Sequence, residues 1–362
     1  MKVAILHDFF TSVGGGEKVV IALAKRYDAD IYTYFWDKTK TFDEIKNFRV
    51  YTSNLKIKTN FLKQVGAARF FETLKPKKDY DVYLMYGWYS ILAGKHLHPN
   101  VWVAGAPPKN LYLKEYYDSP GSLKRKWGLK LFRKLFLKKN QNATKNDLDF
   151  ILAVSKFQKE NIEKLYKRKK NLFVVYPPAE TKKFYYRHPE DFYLTVSRLE
   201  PLKRVELIVK AFMKMPDKKL VVVGDGTQRK YLEELAKNNK NIEFKGPIYG
   251  KELIELYARC TAFVFMSKME DYGIVPVEAM AAGKPVIGVN EGGVIETVVN
   301  KKTGLIIPPN EAELIKAVKS MTPEKAIRMK EACIKRSREF DIDVYYRQVD
   351  EIIKNAIKSY KN

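Results

Sequence analysis

The chain has 362 residues, enough for two domains of ordinary size, and its 46% hydrophobic and 13% aromatic content excludes a disordered polymer. Its 67 Lys and Arg against 42 Asp and Glu leave a formal charge of +25, which suits nucleic acid, an anionic membrane surface, anionic substrates or the charged surface of a thermophile protein. No zinc-ligand spacing or RNA-recognition core motif accompanies that charge, so nucleic acid is not an expected partner. A membrane span is not expected either, for want of a run of about 18 apolar residues. Cys260, beside a buried-strand pattern, and Cys333, in a helical one, do not make a disulfide framework and fit a reducing compartment.

In chain order, MKVAILHDFF reads as a short strand over Lys2–Leu6 rather than a leader, because its apolar run is brief and Asp8 interrupts it. His7 is expected at the strand end, followed by Gly14, Gly15 and Gly16 opening an amphipathic helix to about Tyr27. That glycine loop is either a tight turn or an anion site at a helix start. Further strands are expected at Ile31–Tyr34, Asp81–Tyr86 and Val101–Ala104, with a helix before Lys75, and this alternation predicts a doubly wound parallel sheet. Ser122–Asn140 carries eight Lys or Arg and no acid. Trp127, Leu131, Phe132, Leu135 and Phe136 fall on one side of its helical wheel, with Lys126, Lys130, Arg133 and Lys134 largely opposite. Such a helix either lies at an anionic membrane surface or packs its apolar side on its own domain. A strand at Asp149–Val154, a helix from Ser155 to about Lys169 and a strand at Leu172–Val175 end at the Pro177-Pro178 break.

The second half repeats the pattern. A strand at Phe192–Val196 is followed by a loop with Arg198 and Lys203, five apart, then a helix to about Met213. A planar guanidinium and a mobile ammonium together suit diphosphate oxygens, although an exposed basic turn has the same letters. Strands at Lys219–Val223 and Ile242–Lys245 end in Gly224-Asp225-Gly226 and Gly246-Pro247-Ile248. The run Thr261–Met266 reads as a buried strand, and Gly273 opens a helix that Gly283 closes before a strand at Pro285–Val289. Glu270 and Asp271 precede that helix and Glu278 lies within it. They are either a cap and a solvated position or acceptors for paired sugar hydroxyls. Glu291-Gly292-Gly293 starts a further helix, Gly304–Ile307 is a strand, residues 310–339 read as helical, and a terminal amphipathic helix carries Val344, Val349, Ile352, Ile353 and Ile357.

Glu270 and Glu278, followed by Ala279, Met280, Gly283, Pro285 and Val286, resemble the donor-binding signature of retaining glycosyltransferases of family four. The resemblance implies the GT-B fold, an α/β architecture of two Rossmann-like domains with parallel sheets facing across a cleft. An N-terminal acceptor domain would cover 1–180, a nucleotide-sugar domain 190–340, and the terminal helix 341–362 would cross back to the first. It implies catalytic roles for Glu270, Arg198 and Lys203, with Glu270 on the transferred sugar and the cation pair on the diphosphate. Gly15 and Gly16 would lie against the diphosphate and the acceptor. Gly224 and Ile248 would border the nucleotide, Tyr272, Gly273, Ile274 and Val275 would meet sugar and diphosphate, and Glu278 would hold the ribose. The segment Gly105-Ala106-Pro107-Pro108-Lys109 is similar to a His-Thr-Pro-Pro-Arg motif of a subset of the family, with glycine in place of histidine; His7, Gly105 and Lys109 are the expected acceptor residues. Arg204 stands where a glycine commonly follows the lysine. No cofactor or metal is expected beyond the donor, GDP-mannose or a UDP-hexose. The acceptor is expected to be a lipid-linked or cell-surface glycan, and the protein to be cytoplasmic and peripheral at the inner face of the cell membrane. The alternative is a non-catalytic subunit that binds sugar nucleotide or glycan without transfer.

Overall fold

The computed structural model describes residues 1–53, 55, 60–112 and 123–361. It divides into two units, Met1–Tyr176 with the chain from Tyr346 onward, and Pro177–Tyr345. The described residues of the first hold seven strands: β1 Val3–Phe10, β2 Asp30–Trp36, β3 Val50–Thr52, β4 Val82–Tyr86, β5 Asn100–Gly105, β6 Phe150–Ala153 and β7 Leu172–Val174. All pairings are parallel, in the order β3-β2-β1-β4-β5-β6-β7. The central strands are apolar and buried along most of their length, as parallel strands covered on both faces must be. Trp102, Tyr34, Phe10 and Phe71 are the largest fully buried side chains among the described residues here.

β1 runs past Leu6, where the sequence suggests it stops, to Phe10. The polar pair His7-Asp8 does not end it, because both side chains find partners on β4 and the loop that follows, so the ladder continues. The helix Gly15–Tyr27 starts from Gly14 as expected. It is covered by the terminal helix Ile342–Lys361: Tyr27 Oη and Arg26 Nη2 donate to Asp350 at 2.6 Å each, and Tyr346 Oη donates to Ala22 O at 3.1 Å. The helix capped by Ser155 stops at Tyr166 rather than near Lys169, since Lys167 turns left-handed at φ 52°.

The second unit has β8 Phe192–Val196, β9 Lys219–Val223, β10 Ile242–Gly246, β11 Ala262–Phe265, β12 Val286–Val289 and β13 Gly304–Ile307, all parallel in the order β10-β9-β8-β11-β12-β13. The region expected to be helical over 310–339 is two helices, Glu311–Ser320 and Pro323–Ser337. Pro323 cannot continue the first, and Thr322 caps the second by accepting from Lys325 N. The strand order reverses between β1 and β4 in one sheet and between β8 and β11 in the other. At such switch points the loops leaving the carboxyl ends of the two strands open a crevice, the place where doubly wound sheets bind ligands.

Candidate functional site

The β8–β11 switch brings two distant loops together. Lys268 N donates to Leu202 O at 2.7 Å, and Lys203 Nζ donates to Glu270 Oε2 at 2.5 Å. Ser267 Oγ donates to the same carboxylate oxygen at 2.6 Å. The Lys203 and Glu270 side chains are 19% and 20% exposed, so their attraction is stronger than that of a surface pair yet remains open to exchange with a ligand. Arg198, in the same loop, is exposed and makes no ion pair among the described residues. The two cations named by the sequence are therefore unequal: Lys203 is already neutralised and Arg198 is open.

Gly273 caps the helix Ile274–Ala281 with φ 85°, a left-handed turn that an L side chain rarely adopts. The turn presents the free N–H groups of that helix start beside Glu270, where the dipole favours an anion. Tyr272 is buried with its ring on Phe340. Glu278 lies on the same helix, 6% exposed, and accepts from Tyr257 Oη at 3.1 Å. Backbone bonds knit the loops after β8, β9 and β10: Leu199 N to Asp225 O at 2.9 Å and Gly224 N to Gly246 O at 2.8 Å. Ile248 follows, partly exposed.

At the β1–β4 switch the groups are buried instead. His7 Nδ1 lies 2.9 Å from Tyr86 O, which requires the proton on Nδ1 and leaves Nε2 as the lone-pair side. Burial pushes the imidazole down to about 4, so the ring is neutral near pH 7. Asp8 accepts from the N–H groups of Trp88 at 2.6 Å, Tyr89 at 3.1 Å and Ser90 at 2.8 Å. Burial nevertheless pushes its carboxyl up to about 6, outweighing the N–H donors. Gly16 packs on the Tyr86 ring, while Gly15 has open space around it. Gly105 ends β5 and Lys109 begins a one-turn helix, Lys109–Tyr112; the Lys109 side chain lies outside the described residues.

In the helix Leu123–Asn142, Leu131 and Leu135 are 48% and 46% exposed, whereas Phe136 turns inward onto Tyr89. The apolar side expected as one stripe is thus split. Lys130, Arg133, Lys134 and Lys138 are exposed around it, and the side chains of Trp127 and Phe132 lie outside the described residues. Among the described residues no helix is long and apolar enough to cross a membrane. Both cysteines are buried and free.

Sequence reasoning passed over Asp8, Ser267, Tyr257 and Glu291. Asp8 carried a usable signal, since a carboxylate inside an apolar strand needs a dedicated set of donors. Tyr257 on a buried helix face looks like ordinary core, and Ser267 has no signal apart from its distance to Glu270.

Two Rossmann-like units, each with a ligand-type switch point, define the GT-B class of fold. Residues 178–340, nearly the whole second unit, match the model of the family glycosyl transferases group 1. The chain is 26% identical over 367 residues to an alpha-1,3/1,6-mannosyltransferase of Candida glabrata, covering 83% of this chain and 78% of that relative. It is 31% identical over 180 residues to an uncharacterized glycosyltransferase of Methanocaldococcus jannaschii, a match of 48% of this chain and 45% of the relative. Among solved structures, the Anabaena protein HepE in complex with UDP-glucose superposes with a TM-score of 0.74 at 20% identity, over 98% of this chain and 100% of that one.

Proposed function

We propose that the protein is a retaining glycosyltransferase that moves a hexose, with mannose favoured, from a nucleotide diphosphate sugar to a lipid-linked or cell-surface glycan acceptor. The observation that carries this reading is the Lys203–Glu270 pair beside an open Arg198 and a helix start at the β8–β11 switch. A diphosphate arriving there takes Arg198 first and then draws Lys203 off Glu270. The carboxylate so released accepts hydrogen bonds from hydroxyls of the sugar, while Ser267 keeps it oriented. One exchange therefore charges the phosphate side and frees the sugar side.

In the reaction the bond from the anomeric carbon to the phosphate oxygen breaks while the acceptor oxygen bonds to the same face of that carbon. The acceptor proton passes to a donor phosphate oxygen. Negative charge grows on the leaving diphosphate, where Arg198, Lys203 and the N–H groups ahead of Ile274 stabilise it. Glu278, buried and held by Tyr257, takes the ribose hydroxyls, and backbone groups around Gly224 and Ile248 take the base. No cofactor other than the donor enters this scheme.

On the first unit, His7, Gly105 and Lys109, with the Gly15-Gly16 loop, form the acceptor side. His7 serves as a neutral floor rather than a proton acceptor, because burial disfavours its cation even though Nε2 carries the lone pair. Exposed Leu131 and Leu135 among lysines suit an anionic membrane surface carrying a lipid-linked acceptor. The mannosyltransferase relative and the UDP-glucose complex of the structural neighbour support a hexosyl donor of this class.

The test is a panel of nucleotide sugars incubated with the protein and a membrane lipid extract, following nucleotide release and lipid labelling together. Labelling by one donor, lost in Glu270→Ala, is the expected result. Donor binding without transfer to any acceptor would overturn it in favour of a non-catalytic subunit.

A further inference from the structure

The residue after Lys203 is an arginine held in the left-handed region, at φ 49° and ψ 35°. A glycine adopts that conformation freely and an arginine does so at a cost, so the side chain must contribute something that glycine lacks. Its Nη1 pairs with Glu291, and the two side chains are 21% and 26% exposed. Glu291 immediately precedes Gly292-Gly293, and those two residues lie directly on the backbone of the Glu270 loop. Gly293 N donates to Glu270 O at 2.7 Å, and a Cβ on Gly292 would sit 2.5 Å from that same oxygen, so no side chain fits between the loops. On the other side of the Glu270 loop, Lys268 N donates to Leu202 O at 2.7 Å.

These contacts close a ring of three loops. The 202–204 loop touches the 268–270 loop through Lys268 and through the Lys203–Glu270 pair. The 268–270 loop touches the 291–293 loop backbone to backbone. The 291–293 loop returns to the first only through Glu291 and Arg204 among the contacts named. We propose that Arg204 is a positioning residue of the donor site, acting through Glu291 to hold the Lys203 and Glu270 loops in register while a nucleotide diphosphate sugar displaces the ion pair between them. The proposal rests on the reading of this site as a nucleotide-sugar site.

The physical need arises from the exchange itself. When Lys203 leaves Glu270 for the diphosphate, the side-chain link between their loops is lost at the moment when both groups must be in place. A misplacement of about 1 Å in such a group costs on the order of a hundredfold in rate. The Arg204–Glu291 pair is not displaced in this scheme, so the loops keep their separation and less reorganisation is left for the transition state.

The experiment compares wild type with Arg204→Gly, Glu291→Gln, the exchanged pair Arg204→Glu with Glu291→Arg, and Lys203→Ala. It reads the thermal midpoint, calorimetric affinity for UDP-glucose and GDP-mannose, and kcat and KM with whichever donor turns over. Arg204→Gly is expected to keep or raise the midpoint, because the left-handed strain is relieved, while kcat/KM falls about tenfold, mostly in kcat. Glu291→Gln is expected to lose kcat to a similar extent, and the exchanged pair to recover to within a few-fold of wild type. Unchanged kinetics in both single variants would overturn the proposal, as would a midpoint that falls in parallel with activity and is not recovered by the exchanged pair. Lys203→Ala separates this from the underlying reading. If it loses donor affinity while Arg204→Gly is silent, only the bracing role fails. If it too binds as wild type, the nucleotide-sugar reading fails.

Discussion

The two switch points share a topology and differ in chemistry. At β8–β11 two ion pairs are about one-fifth to one-quarter exposed, and one of them is poised to exchange with an anion. At β1–β4 the carboxylate of Asp8 is consumed by three backbone N–H groups and His7 is a buried neutral ring, so neither is free to trade partners. The same crevice geometry therefore gives one unit a chargeable binding site and the other a stiff floor. What decides between them is how much water reaches the ionisable groups, since exposure sets both the strength of a pair and the ease of replacing it.

The largest expected effect comes from removing the exchangeable carboxylate. Glu270→Ala should lower kcat by at least about a hundredfold, read as nucleotide release with the preferred donor, with a melting midpoint near wild type. If Glu270→Ala retained activity, the contrast between the switch points would disappear.

The buried pair breaks the comparison from the other side. His7 has its folded pKa lowered from 6.5 to about 4, so its contribution to stability is present above 6.5 and lost as pH falls toward 4. Asp8 has its folded pKa raised from 3.8 to about 6, so its contribution is present below 3.8 and lost as pH rises toward 6. Over pH 4–6 the two slopes oppose one another. Asp8→Asn should leave a stability that rises with pH across this window relative to wild type, and His7→Gln one that falls, each by about 3 kcal/mol, measured by urea denaturation at a series of pH values.

Two smaller effects sharpen the picture. Tyr257→Phe removes a donor to the buried Glu278 carboxylate and should cost about 1.5 kcal/mol of stability, with a few-fold weaker affinity for nucleotide in calorimetry. Replacing Leu131 and Leu135 together by Ser should reduce co-sedimentation with vesicles containing phosphatidylserine several-fold, while stability changes by no more than about 0.5 kcal/mol because both side chains are exposed.

Legibility in the sequence followed the same divide. The strand–helix alternation of both sheets could be read from apolar runs and glycine breaks, since parallel strands need continuous burial and helices need caps. Lys203 and Glu270 are singled out by the resemblance to a donor-binding signature, since their charge alone also fits an exposed basic turn and a helix cap. Their pairing could not be read, as it depends on the strand order that brings loops 67 residues apart together. Asp8 was present in plain view, but its donors are backbone groups 80 to 82 positions away, which carry no letter. The extension of β1 through His7 and the break at Thr322-Pro323 turned on local satisfaction of polar groups, which single-residue patterns do not capture. Arg204 stood out only as a missing glycine, and its partner Glu291 became visible once both loops were placed.

The most direct measurement is calorimetric titration of the whole protein with UDP-glucose and with GDP-mannose, in wild type and in Lys203→Ala. Binding of one of these donors by wild type, weakened about tenfold or more in Lys203→Ala, is the expected result. Absence of binding to either donor, or equal binding by both proteins, would contradict a donor site built on the Lys203–Glu270 exchange.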